Sequence, residues 1–220
     1  MTDGGALPAA FSRTVATLRE TGWIDTCLTV GQAFGGDLEA VTVHTGLLAA
    51  RHVTGADLVV VAQGPGNLGT GTRWGFSGVA AGEALNAVAA LRGRPVASLR
   101  VSGADARDRH LGVSHHSLTA YGRVALAPSD VPVPVPTADV ERLTGWGADL
   151  TRRVAEQATT LAAPTGRHHL VDVPAGPDLL DALHAVPVRL STMGRGLDAD
   201  PAAFVAAAVA GVHAESLRPV

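Results

Sequence analysis

The stretch at residues 57–72, DLVVVAQGPGNLGTGT, constrains this chain more than any other. A short continuous apolar run stops abruptly at a glycine-rich loop, and a helical pattern follows. Such a run reads as a strand buried on both faces. Glycines packed at the carboxyl end of a strand let backbone N–H groups point into a crevice, where phosphate, carboxylate or another oxyanion can be held without a charged side chain. That is the layout of a ligand-binding α/β domain. The same glycines would also serve a tight connection that needs only positive φ angles.

The apolar pattern alternates between helical and strand periods on either side of this loop. Helices are expected at residues 9–20, 44–53, 78–91, 178–185 and 201–212, and strands at 25–31, 57–62, 95–101, 169–173 and 188–192. Helix-then-strand units in succession argue for parallel strands joined by crossover helices. The expected class is therefore α/β, with a mostly parallel sheet, crossover helices on both faces and three layers. With 220 residues, 46% of them apolar, the chain is long enough for one sizeable core and short for two, so residues 1–220 are expected to form a single α/β domain. Residues 129–148, which include VPVPVP at 131–136, read as an extended Pro-rich connection between the halves, since proline cannot donate to a sheet ladder. MTDGGALP at residues 1–8 looks like the loop that follows a strand, yet no strand precedes it. The domain is expected to lack its first strand.

Charge and composition narrow the partners. A formal charge of −3 and a pI near 6.3 provide no basic field, so nucleic acid is not expected and a small-molecule ligand is. The lone cysteine, Cys27, can form no internal disulfide, and no charged segment precedes an apolar one at the start, which makes the cytoplasm the expected location. The apolar runs are shorter than the roughly 20 residues a membrane span needs. A homo-oligomer is left open. All 17 basic residues are arginine. Without lysine the chain can form no pyridoxal phosphate Schiff base, no Schiff-base aldolase and no Walker-type phosphate lysine.

Two segments carry the candidate chemistry. Gly64, Gly66 and Gly69 formally match G-x-G-x-x-G, but the next helix starts about ten residues too late for a dinucleotide fingerprint and no acidic residue closes the next strand. What remains is a donor-rich loop in which Gly64, Gly66, Asn67, Gly69, Thr70 and Thr72 are candidate ligand-binding residues. Residues 100–123, RVSGADARDRHLGVSHHSLTAYGR, are the most polar stretch of their length. Loops at strand carboxyl ends converge in an open parallel sheet, so the two segments are expected to share one crevice. In that crevice His115 or His116 would move a proton and Asp105 would orient it, while Arg107 and Arg109 held an anionic group and the glycine-loop backbone met developing negative charge. A divalent metal is the alternative. Adjacent side chains diverge, which makes His115 with His116 a poor chelate, so a metal would use one of them with His110 and Asp105. Asp3, the group Gln32, Asp37 and Glu39, and the group Ser191, Thr192, Arg195 and Asp198 are candidates for the same rim. Cys27 reads as a small buried apolar group, Ser77 misses the G-x-S-x-G elbow by one position, and His168 and His169 read as structural.

At MTDGGALP, VGQAFGGDLEA, QGPGNLGTGT, SGADARDRHLGVSHHSLTAYGR and STMGRGLD the chain resembles the family catalogued as domain of unknown function 3866, over nearly its whole length. The resemblance implies a longer N-terminus, with a small β-rich region ahead of the MTDGGALP-like motif. It assigns no catalytic role to any residue. The residues themselves point to binding of a small anionic or phosphate-bearing metabolite, with acid–base or hydrolytic chemistry if the protein is an enzyme. A non-catalytic ligand-sensing or structural assembly module is the competing class.

Overall fold

Three prolines spaced two apart, Pro132, Pro134 and Pro136, decide how the middle of the chain pairs. In a strand, alternate residues offer their backbone N–H and C=O to opposite sides, so prolines at every second position all lose their donors on the same side. The computed structural model, which describes residues 8–64, 68–162 and 166–218, shows the consequence. Strand β5 (Asp130–Pro136) pairs in parallel with β6 (His169–Ala175) over its full length. The odd-numbered residues face β6: His169 N donates to the Ser129 carbonyl and Thr137 N to the Ala175 carbonyl, both at 3.0 Å. On the proline side, among the described residues, only the Val96–Asp130 bridge forms, with Ala97 N donating to the Asp130 carbonyl at 2.8 Å and Asp130 N to that of Pro95 at 3.1 Å. The ladder stops where the prolines begin.

The expectation for residues 129–148 is thereby corrected. They hold β5 and the helix α5 (Ala138–Thr144), and β5 is almost wholly buried. Before them come α1 (Arg13–Glu20), the parallel pair β1 (Leu28–Val30) and β2 (Leu38–Ala40), α2 (Val43–His52), α3 (Ala80–Ala90), the antiparallel pair β3 (Val101–Ser102) and β4 (Gly112–Val113), and the short α4 (His115–Thr119). After α5 come α6 (Ala148–Thr159), β6, α7 (Pro177–His184) and α8 (Pro201–Ser216). The described residues thus form a mixed α/β structure whose short sheets are two parallel and one antiparallel. The pairing does not extend to one continuous, mostly parallel sheet.

Two expected strands are absent. Residues 58–61 join no strand among the described residues, and Leu58 and Val60 are 43% and 85% exposed. Apolar continuity alone, with no neighbouring ladder, does not bury a segment. Residues 188–192 are also not a strand: Thr192 and Arg195 pair across a tight turn in which Met193 and Gly194 both have positive φ. That turn brings Arg195 back toward the centre of the molecule.

The main core is built from Leu99, Val101, Val113, Val131, Val133, Val140, Trp146, Val154, Leu161, Val173, Val205 and Val209. Helix α8 lies against β3, β5 and β6, and its alanines and valines, small enough for close approach, form its buried residues. Helix α6 packs on β4 and β5. At the start of β5 the Asp130 carboxylate accepts from Arg94 at 3.0 Å and lies 2.9 Å from His213 Nε2, tying the far end of α8 to the sheet. His168 is buried between Ser129 Oγ at 2.8 Å and the Tyr121 carbonyl at 2.7 Å, the structural role read from the sequence.

After α4 the chain makes one π-helical turn, Ala120–Val124, against which α3 packs. Gly82 permits that contact, because a Cβ there would lie 2.2 Å from the Ala120 carbonyl oxygen. Backbone cannot yield as a flexible side chain can. Replacing Gly82 with Ala is expected to cost about 1–3 kcal/mol of stability through overpacking, read as a lower urea midpoint; an unchanged midpoint would mean that α3 does not rest on this turn.

Candidate histidine centre

Ser114 is fully buried and its hydroxyl serves two neighbours. As the N-cap of α4 it accepts from His116 N at 3.2 Å, and it lies 2.8 Å from His110 Nδ1. A serine cap satisfies a helix-start N–H that burial would otherwise leave without a partner. The result places His110, at the end of a 3₁₀ turn (Asp108–His110), over the first residues of α4. The ring centroids of His110 lie 4.8 Å from those of His115 and 4.9 Å from those of His116, and the two adjacent histidines are 4.3 Å apart. One nitrogen from each of the three lies within 4.8 Å of the others. The divergence expected of adjacent side chains is not seen: the His115 and His116 rings lie side by side at the start of α4, and His110 meets both.

The glycine loop reaches this cluster through Phe76. Gly69 pairs with Phe76 across a hairpin-like turn closed by Thr70 N donating to the Gly75 carbonyl at 2.7 Å. The buried Phe76 ring stacks on His116 at a centroid distance of 4.0 Å and an interplanar angle of 9°. The two segments are therefore neighbours. Thr70 and Thr72 are exposed and bond each other at 3.0 Å, while Gly75 N donates to Thr72 Oγ1 at 3.1 Å, so their hydroxyls brace the turn. Gly69 is part of that turn, no contact of Gly64 with it is seen among the described residues, and Asp3, Gly66 and Asn67 lie outside the described residues.

Asp105 is engaged elsewhere. Its carboxylate accepts from Arg107 at both oxygens, Nε and Nη2 each at 2.9 Å, and from Arg195 Nη2 at 3.5 Å, and it bonds no histidine. The Arg107 guanidinium, first among the causes, holds that carboxyl far below the usual carboxylate range. Arg195 also donates through Nε to the wholly buried Asp200 at 3.1 Å, and Asp200 accepts from Gly103 N at 2.9 Å and from the Ser102 hydroxyl. A chain of alternating charge, Arg107, Asp105, Arg195, Asp200, thus runs beneath the segment that carries the histidines. Arg195, a rim candidate in the sequence, is engaged with these two carboxylates; Asp198 is exposed and faces His184 at 3.9 Å. Asp37 bonds Arg19 and Cys27 N, and Glu39 accepts from Gly35 N at 2.7 Å, local braces apart from the histidines. Cys27 is buried, and burial with the nearby Asp37 pushes its thiol up, away from a nucleophilic thiolate.

The imidazoles are kept neutral. Burial, then the charges of Arg107 and Arg100, pushes His110 down to about 4; burial, then its two histidine neighbours, does the same to His116; burial and Arg109 lower His115. His115 Nε2 is buried with no hydrogen-bond partner among the described residues. Arg100, whose half-buried guanidinium also has none among them, acts on all three rings, and its own value is lowered by burial. Arg109 is exposed and beside His115 and His116, whereas Arg107 is committed to Asp105.

Several positioning residues carry no local signal in the sequence. From α6, Gln157 Oε1 accepts from Val113 N at 2.7 Å and Arg153 Nε donates to the Leu111 carbonyl at 3.2 Å, clamping the turn that leads into α4. Gly112 fits there because its φ is +72° and a Cβ would meet Gln157 Oε1 at 2.2 Å. Gln157 is 44 positions from Val113, so no short pattern could reveal it. A groove of about 500 Å³ opens on this side of the turn, lined by Gly103, Leu111, Leu150 and Arg153.

A family model described as protein of unknown function (DUF3866) matches residues 1–211 of the 220. The chain belongs to this family. No curated protein and no solved structure matches the chain. In this DUF3866 protein the histidine centre, the arginines and the Phe76 turn all lie within the matched residues. No helix among its described residues is long and apolar enough to cross a membrane.

A histidine whose folded value is depressed takes up its proton more readily in the unfolded chain, so its contribution to stability is complete above about 6.5 and is lost as pH falls toward 4. Urea unfolding at pH 7.5 and 4.5 is expected to show a loss of about 2–3 kcal/mol for each of His110 and His116. His116→Phe should flatten that slope; a slope unaffected by it would mean that the ring is not buried against its neighbours.

Proposed function

We propose that this protein binds a small anionic metabolite, a phosphate monoester or a carboxylic ester that also carries an anionic group, at the histidine–arginine centre and hydrolyses its ester bond. The observation that supports this reading most is Arg100: a half-buried guanidinium that feels the charges of Asp105 and Asp200 but has no hydrogen bond or ion pair among the described residues, beside three clustered imidazoles. A buried cation is costly unless an anion meets it. Arginine offers a planar fork that matches carboxylate and phosphate, and Arg109 stands at the rim with its charge free to steer such a ligand inward. In this reading Arg100 and Arg109 take over the role first assigned to Arg107 and Arg109. Water placed at the imidazoles loses a proton to a ring nitrogen, its oxygen adds to the phosphorus or carbonyl carbon, and the departing alkoxide takes that proton.

A second reading, a ligand-sensing module without turnover, is favoured by one observation. Asp105 is held by two arginines and hydrogen-bonds no histidine, so no carboxylate orients an imidazole for proton transfer. Both readings share the anion site.

Calorimetric titration with inorganic phosphate is expected to show saturable binding that Arg100→Met weakens at least tenfold while leaving the thermal unfolding temperature close to that of the parent chain. Unchanged phosphate affinity in Arg100→Met contradicts the proposal. Turnover of p-nitrophenyl phosphate or p-nitrophenyl acetate, lost in His115→Ala, selects the hydrolase; binding without turnover of any ester selects the sensor.

A further inference from the structure

We infer that His110, His115 and His116 form a three-histidine site for a divalent transition-metal ion of the zinc class, with Ser114 as the residue that orients it. The inference deepens the reading of this cluster as the reactive centre and rests on it only for what the metal would act upon. Three geometric facts carry it. One nitrogen from each imidazole lies within 4.8 Å of the other two, whereas a metal at about 2.1 Å from each in tetrahedral geometry would set them about 3.4 Å apart. Small rotations of the rings close that difference. His115 Nε2 is buried and has no partner among the described residues, a lone pair or N–H that burial leaves unsatisfied unless something meets it. His110 uses Nδ1 toward the Ser114 hydroxyl, which fixes the ring and leaves Nε2 for a ligand bond.

The surroundings choose the class of ion. Three imidazoles with no thiolate or carboxylate among them suit zinc, cobalt, nickel or copper and do not suit magnesium or calcium, which want oxygen. Asp105, the carboxylate expected to complete a metal site, is turned to Arg107 and Arg195, so the ligand set from this cluster is three nitrogens. Three protein ligands leave a fourth position open for water or an anion, the pattern of catalytic zinc sites and not of structural ones. Arg100 and Arg109 act electrostatically on these rings and, as cations, would favour an anionic ligand of the metal without competing for it. Phe76, stacked on His116, closes one side with an apolar face. The ring stack also fixes the orientation that the sequence spacing of two adjacent histidines alone does not provide.

The chain, stripped with chelator and dialysed, is titrated with Zn²⁺ by calorimetry and with Co²⁺ by visible absorption. The expected result is one ion per chain, with the intense ligand-field bands of four-coordinate cobalt. His115→Ala and His116→Ala should each weaken Zn²⁺ binding at least 100-fold, and Ser114→Ala by 10- to 100-fold. His110 is buried, so if His110→Ala fails to fold by circular dichroism the other three variants carry the test. Zinc binding that keeps its affinity in the doubly substituted His115→Ala, His116→Ala chain overturns the inference, because the remaining histidines would then be the ligands. So does the absence of any stoichiometric binding by the parent chain. Phosphate titration of the chelated protein separates this inference from the preceding one: phosphate bound without zinc affinity removes the metal and keeps the anion site, and zinc bound without phosphate affinity in either form does the reverse.

Discussion

One buried hydroxyl, that of Ser114, holds the histidine centre together. It caps α4 and fixes the His110 ring at the same time, so the helix that carries His115 and His116 and the turn that carries His110 cannot shift independently. The turn is short, and a short polar turn over a core would ordinarily leave backbone groups unsatisfied. Here α6 supplies the partners, with Gln157 and Arg153 bonding both sides of Gly112. The π-helical turn after α4 and the close approach of α3 at Gly82 complete the support from behind. Local capping, a long-range clamp and a tight helix contact thus converge on a few residues, which is how a fold positions side chains that it does not enclose.

Electrostatics then sets what those side chains are. The alternating chain of Arg107, Asp105, Arg195 and Asp200 is buried on its acidic members, and each carboxylate is met by an arginine. This leaves positive field on the histidine side, from Arg100 and Arg109 as well as Arg107. Burial and that field act in the same direction and keep the imidazoles neutral, hence as lone-pair donors. Had Asp105 turned to a histidine, the same ring would have been made more basic and charged more readily. The arrangement therefore favours binding of an anion or a metal over a carboxylate-assisted proton relay.

Much of this was legible in the sequence, and the failures have physical causes. Helices α2, α3, α7 and α8 follow the expected segments because apolar periodicity, Thr42 as a cap and Pro177 and Pro201 at first turns are local signals. The meeting of the glycine loop with the histidine segment was also expected, although through Phe76 and not through hydroxyls. Residues 58–61 failed because an apolar run states a preference for burial and says nothing of whether a neighbouring strand exists. VPVPVP differs only from the reading of a connection: its prolines do mark a sheet edge, and their period of two confines the missing donors to that side and leaves the other free to pair with β6. Gln157 and Arg153 were not legible at all, since their roles depend on contacts more than 40 residues away in sequence; Arg100 lay in the polar segment, but its lack of an ion-pair partner shows only in the fold.

The central claim is that His116 lies flat under Phe76 with His110 and His115 around it, all three neutral. Histidine side-chain nitrogen and ring-proton spectra of the isotopically labelled protein test this most directly. The expected spectra show two histidines, His110 and His116, that stay neutral well below pH 6, and a third, His115, shifted down from its ordinary value, with His116 ring-proton signals displaced by the Phe76 ring current and restored toward ordinary positions in Phe76→Leu. Ring-proton signals of His116 that do not respond to Phe76→Leu, from a histidine that charges near 6.5, would contradict it.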